Sequence, residues 1–248
     1  TLNHPNIVRV LDVFEHSGRH FIVMDYLPNG SLSERLQAGH PLPLAGIVRI
    51  LKPIAKAIDY AHGKGVLHRD IKPSNILFTE EDEPALTDFG LVKSINSDRT
   101  TTTGLGMGTP DYMSPEQILG RELDMETDIY SFGVVAYQMV TGEVPFKGST
   151  PYEIQDGHVH TEPPDILNAN PRVPKELKPV FEKVLAKNPT NRYDNARSFI
   201  SSLETLVQNQ VSIDLVDRYA EAKKRMEALE FKAAINILEK LTAITPPP

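Results

Sequence analysis

The sequence contains no cysteine. That excludes disulfides, thiolate metal centres and a cysteine nucleophile, and it fits a reducing cytoplasm. Basic residues are in deficit, with 26 Lys and Arg against 33 Asp and Glu for a formal charge of −7. A generic nucleic-acid surface needs concentrated positive charge, so no nucleic-acid partner is expected. A small-molecule site remains open, because a local cluster can be basic on an acidic protein. No apolar run approaches the roughly 20 residues needed to span a bilayer, and no secretory signal stands at the start. The first residue is Thr1 rather than Met, which points to sequence upstream. What is present is the composition of a folded globular protein: 248 residues, 40% hydrophobic and 24% charged. That is enough for one large domain, or one domain with a small appendage.

Two apolar runs, Ile7 to Phe14 and His20 to Leu27, flank Ser17-Gly18 and predict two strands joined by a turn. Pro28-Asn29-Gly30 then breaks the chain. From Leu44 to His62 the residues Ile47, Ile50, Leu51, Ile54, Ile58 and Ala61 recur at helical spacing. Pro53 inside that helix predicts a kink or a missing hydrogen bond, and Gly63 and Gly65 are candidate caps at its end. Ile76 to Phe78 and Ala85 to Thr87 read as a small hairpin, and residues 96–108 as a polar loop. Met125 to Thr141 is apolar on several faces, the mark of a buried helix. Further helices are expected over Pro151 to Gly157, Lys175 to Ala186 and Asn195 to Gln208. A few strands followed mostly by helices predict an α+β fold with segregated elements.

The chemistry lies in an ordered set of short motifs: His68-Arg69-Asp70, then Lys72 and Asn75, then Asp88-Phe89-Gly90, then Ser114-Pro115-Glu116. Any one of these is weak, since a lone His-Arg-Asp reads equally well as a surface salt bridge. The order and spacing together carry the signal. The set resembles the protein kinase superfamily over roughly Leu2 to Leu206. His68 through Leu77 looks like the serine/threonine branch, because Lys72 sits two residues after the aspartate. Gly108 through Gln117 looks like the bacterial members of that branch.

The resemblance implies the roles. Phosphoryl transfer requires the donor phosphate held in line with the acceptor oxygen and its charge neutralised. Asp70 is expected to accept the hydroxyl proton, and Lys72 to stabilise the transferring phosphate as a flexible point charge. Asn75 and Asp88 are expected to supply hard oxygen ligands to Mg²⁺. Phe21 through Leu27 resembles the hinge that cradles the adenine of ATP. Met24 would sit behind the nucleotide, backbone groups of Asp25 and Leu27 would bond the adenine edge, and Leu77 would form an apolar floor. Arg69 resembles the arginine that receives an activation-loop phosphate. A modified threonine among Thr100, Thr101, Thr102 and Thr103 would pair with it and with Lys93. Thr109 resembles the threonine that bonds the catalytic aspartate and lysine, and it favours Ser or Thr acceptors. Asp128 resembles the brace of the catalytic loop, and Glu116 with Arg192 a buried ion pair.

Three features that the resemblance leads one to expect are missing from the sequence: a glycine-rich loop over the phosphates, a strand lysine that grips them, and a helix glutamate that pairs with that lysine. His4 to Val8 resembles the segment just after that helix. Residues 1–27 then correspond to a remnant of the N-terminal lobe and hinge, and 28–208 to the helical C-terminal lobe. Two readings follow. The chain is a portion of an active kinase, inactive by itself, or a pseudokinase-like scaffold. The four intact site residues favour the first. The substrates would be proteins bearing Ser or Thr. A membrane tether, if the parent has one, is not within these residues.

Residues 209–248 change character. Leu215, Tyr219, Ala222 and Met226 are spaced for one apolar stripe along a helix from Ile213 to Ala228. A second helix is expected over Ala233 to Ile244. Phe231, Ala234, Leu238, Leu241 and Pro246 fall at offsets that resemble a tetratricopeptide-type hairpin, which would bind protein partners. A single repeat cannot bury its own face, so a linker of amphipathic helices is an equal alternative.

Overall fold

The computed structural model describes residues 2–36, 40–89 and 110–227, with short helical pieces at 235–237 and 239–240. The chain divides into two compact units, Thr1–Leu203 and Glu204–Pro248.

The first unit opens with an antiparallel hairpin of β1 (Val10–His16) and β2 (Arg19–Met24). Ser17 and Gly18 form its turn, both with positive φ. After the short helix α1 (Leu32–Leu36) comes α2 (Leu44–His62). All six apolar positions read from the sequence of α2 are buried, as are Ala55 and Ala57. Helical structure runs through Pro53 unbroken. The missing N–H removes one rung, and the burial of Ile50, Leu51 and Ile54 around it offsets that loss. Gly63 and Gly65 end the helix. Only Gly65 takes the left-handed conformation (φ 72°), which a glycine adopts without steric cost.

The second hairpin joins β3 (Ile76–Phe78) to β4 (Pro84–Leu86), one residue earlier than the expected Ala85 to Thr87. Pro84 is accommodated as the terminal partner of Phe78, where no ladder N–H is needed. Both edges of this hairpin are extended by isolated bridges, Ile7 to Leu86 and Ser31 to Leu77. The residues that follow β2 are thereby pinned beside β3.

The helices that follow are α3 (Pro115–Ile118), α4 (Met125–Thr141), α5 (Pro151–His160), α6 (Ile166–Ala169), α7 (Leu177–Val184) and α8 (Ala196–Glu227). As expected, α4 is buried on nearly every face. Edge-to-face contacts link Phe132 of α4 to Phe199, Tyr137 to Phe181, and Phe181 to Phe199, with centroids 5.8–6.2 Å apart. Asp59 of α2 caps the start of α8, accepting from the N–H groups of Ala196 (2.8 Å) and Arg197 (3.2 Å).

At Gly133, α4 packs tightly against Val184 of α7. A β-carbon there would lie 2.7 and 2.8 Å from the two methyls of Val184. Gly133→Ala is therefore expected to destabilise the protein by about 1–3 kcal/mol through overpacking. Urea denaturation measures this, and adding Val184→Ala should return part of the loss.

The sequence predicts separate helices from Asn195 to Gln208 and from Ile213 to Ala228. The structure has one continuous helix, α8. Residues 209–212, Asn-Gln-Val-Ser, contain neither glycine nor proline, so nothing there ends it. In the second unit Ala222 is fully buried, but Tyr219 is 62% exposed, so the proposed apolar stripe does not include it. The tetratricopeptide-like positions Phe231, Ala234, Leu238, Leu241 and Pro246 lie outside the described residues. No helix among the described residues is long and apolar enough to cross a membrane.

Candidate active site

Asp70, Lys72 and Asn75 come together in the segment between α2 and β3. The Lys72 ammonium donates to Asp70 Oδ2 at 2.8 Å. Asn75 Nδ2 donates to the Asp70 carbonyl at 2.8 Å and to Oδ2 at 3.1 Å. Oδ2 is thus held from two sides, while Oδ1 accepts no hydrogen bond among the described residues. Asp70 is exposed, so its free oxygen faces solvent and whatever docks there.

Asp88 follows β4 with φ 63°, a strained conformation for a non-glycine residue that surrounding structure must enforce. Two bonds tie its neighbourhood to the first cluster. The Thr87 N–H donates to the Asn75 carbonyl at 2.9 Å, and the Thr87 carbonyl lies 2.8 Å from His68 Nε2. The other ring nitrogen of His68, Nδ1, accepts the Asp70 N–H at 3.2 Å. Nε2 therefore carries the proton. Complete burial lowers the His68 pKa and outweighs the opposing pull of Asp128, the Thr87 carbonyl, Asp70 and Asp88, so the ring is neutral. Neutral His68 links the loop of Asp70 to the strand that delivers Asp88, and Phe89 packs against it at 4.6 Å.

The donor set fits magnesium. With Nδ2 of Asn75 committed to Asp70, its Oδ1 accepts only a long bond from Ser74 Oγ at 3.5 Å among the described residues. One amide oxygen and one exposed carboxylate, completed by phosphate and water, suit a small hard cation. Among the described residues, no group of three His, Cys, Asp or Glu side chains forms a protein-only metal cage.

The loop before Asp70 is braced from below. Asp128 is fully buried at the start of α4. Its carboxylate accepts from the N–H of His68 (2.8 Å), the N–H of Arg69 (2.7 Å) and His62 Nε2 (2.7 Å). With Nε2 of His62 donating, its Nδ1 is left buried without a partner among the described residues. Arg69 has φ 66°, and these bonds hold it there. Its side chain is exposed and makes no ion pair among the described residues.

Glu116 and Arg192 form a two-pronged buried pair at 2.7 and 3.0 Å. Thr127 Oγ1 also donates to Glu116 at 2.9 Å. Arg192 satisfies its remaining donors on the carbonyls of Ala186, Glu126 and Lys187. Burial pushes the Glu116 carboxyl up, but the bonds and charge of Arg192 outweigh it and leave the pKa below its usual value.

In the segment after β2, the Asp25 N–H donates to the Arg9 carbonyl at 3.0 Å, and its carboxylate is engaged by the Arg9 guanidinium. What Asp25 has left for a ligand is its carbonyl. The Leu27 N–H has no backbone partner among the described residues, so the two residues offer one acceptor and one donor. Met24 is half-buried, with its sulfur 3.6 Å from Thr87 Oγ1. Leu77 is half-buried on β3, opposite Ser31. Lys93, Thr100, Thr101, Thr102, Thr103 and Thr109 lie outside the described residues. The roles of His62, of Gln117 and of His68 as a bridge are not readable from the sequence. The partners of the first two are 66 and 48 residues away, and no local pattern reports such a contact.

The comparisons agree with this geometry. A family model described as "Protein kinase domain" matches residues 1–209. A Clostridium perfringens protein described as "Probable serine/threonine-protein kinase" is 40% identical over 205 residues, covering 83% of this chain and 30% of the relative. Bacillus subtilis PrkC is 35% identical over 205 residues (83% of this chain, 32% of the relative). Mycobacterium leprae PknB is 35% identical over 207 residues (82% and 33%). The chain spans about a third of the length of these curated relatives. A matched domain over most of the chain and relatives of one kind place this protein in the protein kinase family, in its bacterial serine/threonine branch.

Proposed function

We propose that this protein transfers the γ-phosphate of ATP to serine or threonine hydroxyls of other proteins. The observation that carries the reading is the Asp70 carboxylate, with Oδ2 clamped by Lys72 and Asn75 and Oδ1 left open. A hydroxyl approaching Oδ1 gives up its proton there as its oxygen bonds to the γ-phosphorus. The bond from that phosphorus to the bridging oxygen breaks, and ADP leaves. Lys72, at 2.8 Å from Oδ2, is close enough to carry its charge to the transferring phosphate. Mg²⁺, held by Asn75 and Asp88, would neutralise phosphate charge and fix its orientation. The Asp25 carbonyl and the Leu27 N–H would bond the adenine edge, between Met24 and Leu77.

Three further elements belong to the same proposal. A phosphothreonine among Thr100 to Thr103 would pair with the exposed Arg69 guanidinium and Lys93, and Thr109 would support Ser and Thr acceptors. The absence of cysteine suits a cytoplasmic setting. The helical tail would contact protein partners.

The test is transfer of label from γ-labelled ATP by the protein expressed from its complete reading frame. Peptides carrying Ser or Thr should be labelled, a Tyr peptide should not, and chelating Mg²⁺ should abolish the signal. No labelling of any acceptor would overturn the reading. The 248 residues by themselves should transfer little, because they contain no glycine-rich loop or strand lysine to hold the phosphates.

A further inference from the structure

The braces described above do not reach the carbonyl of Arg69. Asp128 takes the N–H groups of His68 and Arg69, and His68 Nδ1 takes that of Asp70. The Arg69 carbonyl accepts from Gln117 Nε2 at 2.7 Å, across 48 residues of sequence.

The orientation of that amide is determined. Gln117 Oε1 accepts the Ser114 N–H at 3.0 Å, and an amide nitrogen cannot take that role. Nε2 must therefore face Arg69. The Gln117 N–H donates in turn to Ser114 Oγ at 3.3 Å, which completes a reciprocal cap on α3. Capping needs only the oxygen of the Gln117 side chain. The nitrogen is left for the loop.

Ser114 follows a turn, Pro110–Tyr112, that is fixed on α4. The Tyr112 hydroxyl donates to Gln138 at 2.7 Å, and Ser131 Oγ donates to the Tyr112 carbonyl at 2.7 Å. Gln117 thus spans from a well-anchored segment to the peptide group directly before Asp70. Arg69 sits at φ 66°, a strained conformation that persists only when its surroundings over-determine it. Rotation of the Arg69–Asp70 peptide would swing Oδ1 away from an acceptor hydroxyl.

We propose that Gln117 is a positioning residue for phosphoryl transfer, whose side-chain amide locks the peptide preceding Asp70 and couples it to the segment before α3. The proposal rests on the kinase reading above, but its physical content is measurable without activity.

Gln117→Glu separates the two roles. Glutamate keeps an oxygen for the Ser114 N–H, but it has no donor for Arg69 and sets an anionic oxygen against its carbonyl. Ser114→Ala does the reverse, removing the hydroxyl half of the cap and leaving the bridge intact. Both variants are made in the complete protein. Amide hydrogen exchange is read at Arg69, Asp70 and Ile71, and phosphoryl transfer to a Ser/Thr peptide is measured alongside.

Gln117→Glu should raise exchange at those amides about tenfold, the loss of one hydrogen bond. It should lower kcat about ten- to a hundredfold with the KM for ATP nearly unchanged. Ser114→Ala should lower the melting temperature while leaving loop exchange and kcat near wild type. Unchanged exchange and kcat in Gln117→Glu would overturn the proposal. So would equal effects of the two variants, because Gln117 would then act only through the cap. If wild-type protein transfers no phosphate, the kinase reading falls, and the exchange data alone decide whether Gln117 holds the loop.

Discussion

Arg192→Met is expected to destabilise the protein by about 3–5 kcal/mol, the cost of leaving a buried charge without its partner. Methionine keeps much of the aliphatic bulk, so the loss is electrostatic rather than a cavity. Glu116, only 4% exposed, would be left with Thr127 as its one side-chain donor among the described residues. The carbonyls of Ala186, Glu126 and Lys187 would each lose a donor as well. Urea denaturation reads the loss directly, and a change under 1 kcal/mol would refute it. Replacing both partners (Glu116→Leu with Arg192→Met) should recover part of the stability, because no charge then stays buried, but not all, because the three carbonyls remain unsatisfied. The deficit also depends on pH. The folded-state pKa of Glu116 is lowered in the wild type. Its contribution is therefore present above the ordinary carboxylate value of about 4.3 and is lost as pH falls through the folded value. The gap between wild type and Arg192→Met should accordingly narrow in acid.

How much of this could be read in advance depends on how local each signal is. The bounds of α2 and α4 matched expectation because an apolar rhythm and its terminators lie together in the chain. For α2 these are the buried isoleucines and then Gly63 and Gly65. For α4 it is the run apolar on several faces, whose ends the structure caps with Asp124 and Gly142. The single helix α8 was read as two because the apolar rhythm lapses around Asn209. Rhythm reports burial, whereas propensity and the absence of breakers decide whether a helix continues. The return strand of the second hairpin starts one residue before the expected Ala85, because a terminal pairing position tolerates Pro84. In the site, Asp70, Lys72 and Asn75 were legible because they lie within one short segment and meet each other directly. Asp88 was legible from its own motif, but the bridge that places it, from Asp70 through His68 to Thr87, depends on tertiary contact. Gln117 and His62 show the limit. Each acts on a group far away in sequence, and nothing in the residues beside it encodes that partner.

Asp70→Asn should have the largest effect on activity. It should reduce kcat about 10²–10⁴-fold, the range for removing a positioned general base, while the KM for ATP changes little. The side chain keeps its shape. Asp70 is exposed, and an amide oxygen can still accept from its partners Lys72 and Asn75, so the melting temperature should stay near wild type. An asparagine amide in place of the carboxylate has one oxygen rather than two. If that oxygen turns toward Lys72 and Asn75, as their donors demand, the nitrogen occupies the position of Oδ1. An amide nitrogen cannot take a proton from an incoming hydroxyl. Geometry is then preserved while the proton acceptor is lost. Asp88→Asn differs in kind. It removes the carboxylate from the proposed metal pair, so raising the Mg²⁺ concentration should restore part of its activity, whereas no concentration should restore Asp70→Asn. Steady-state kinetics at several Mg²⁺ concentrations distinguish the two. If Asp70→Asn retained near-wild-type kcat, the assignment of Oδ1 as proton acceptor would be wrong.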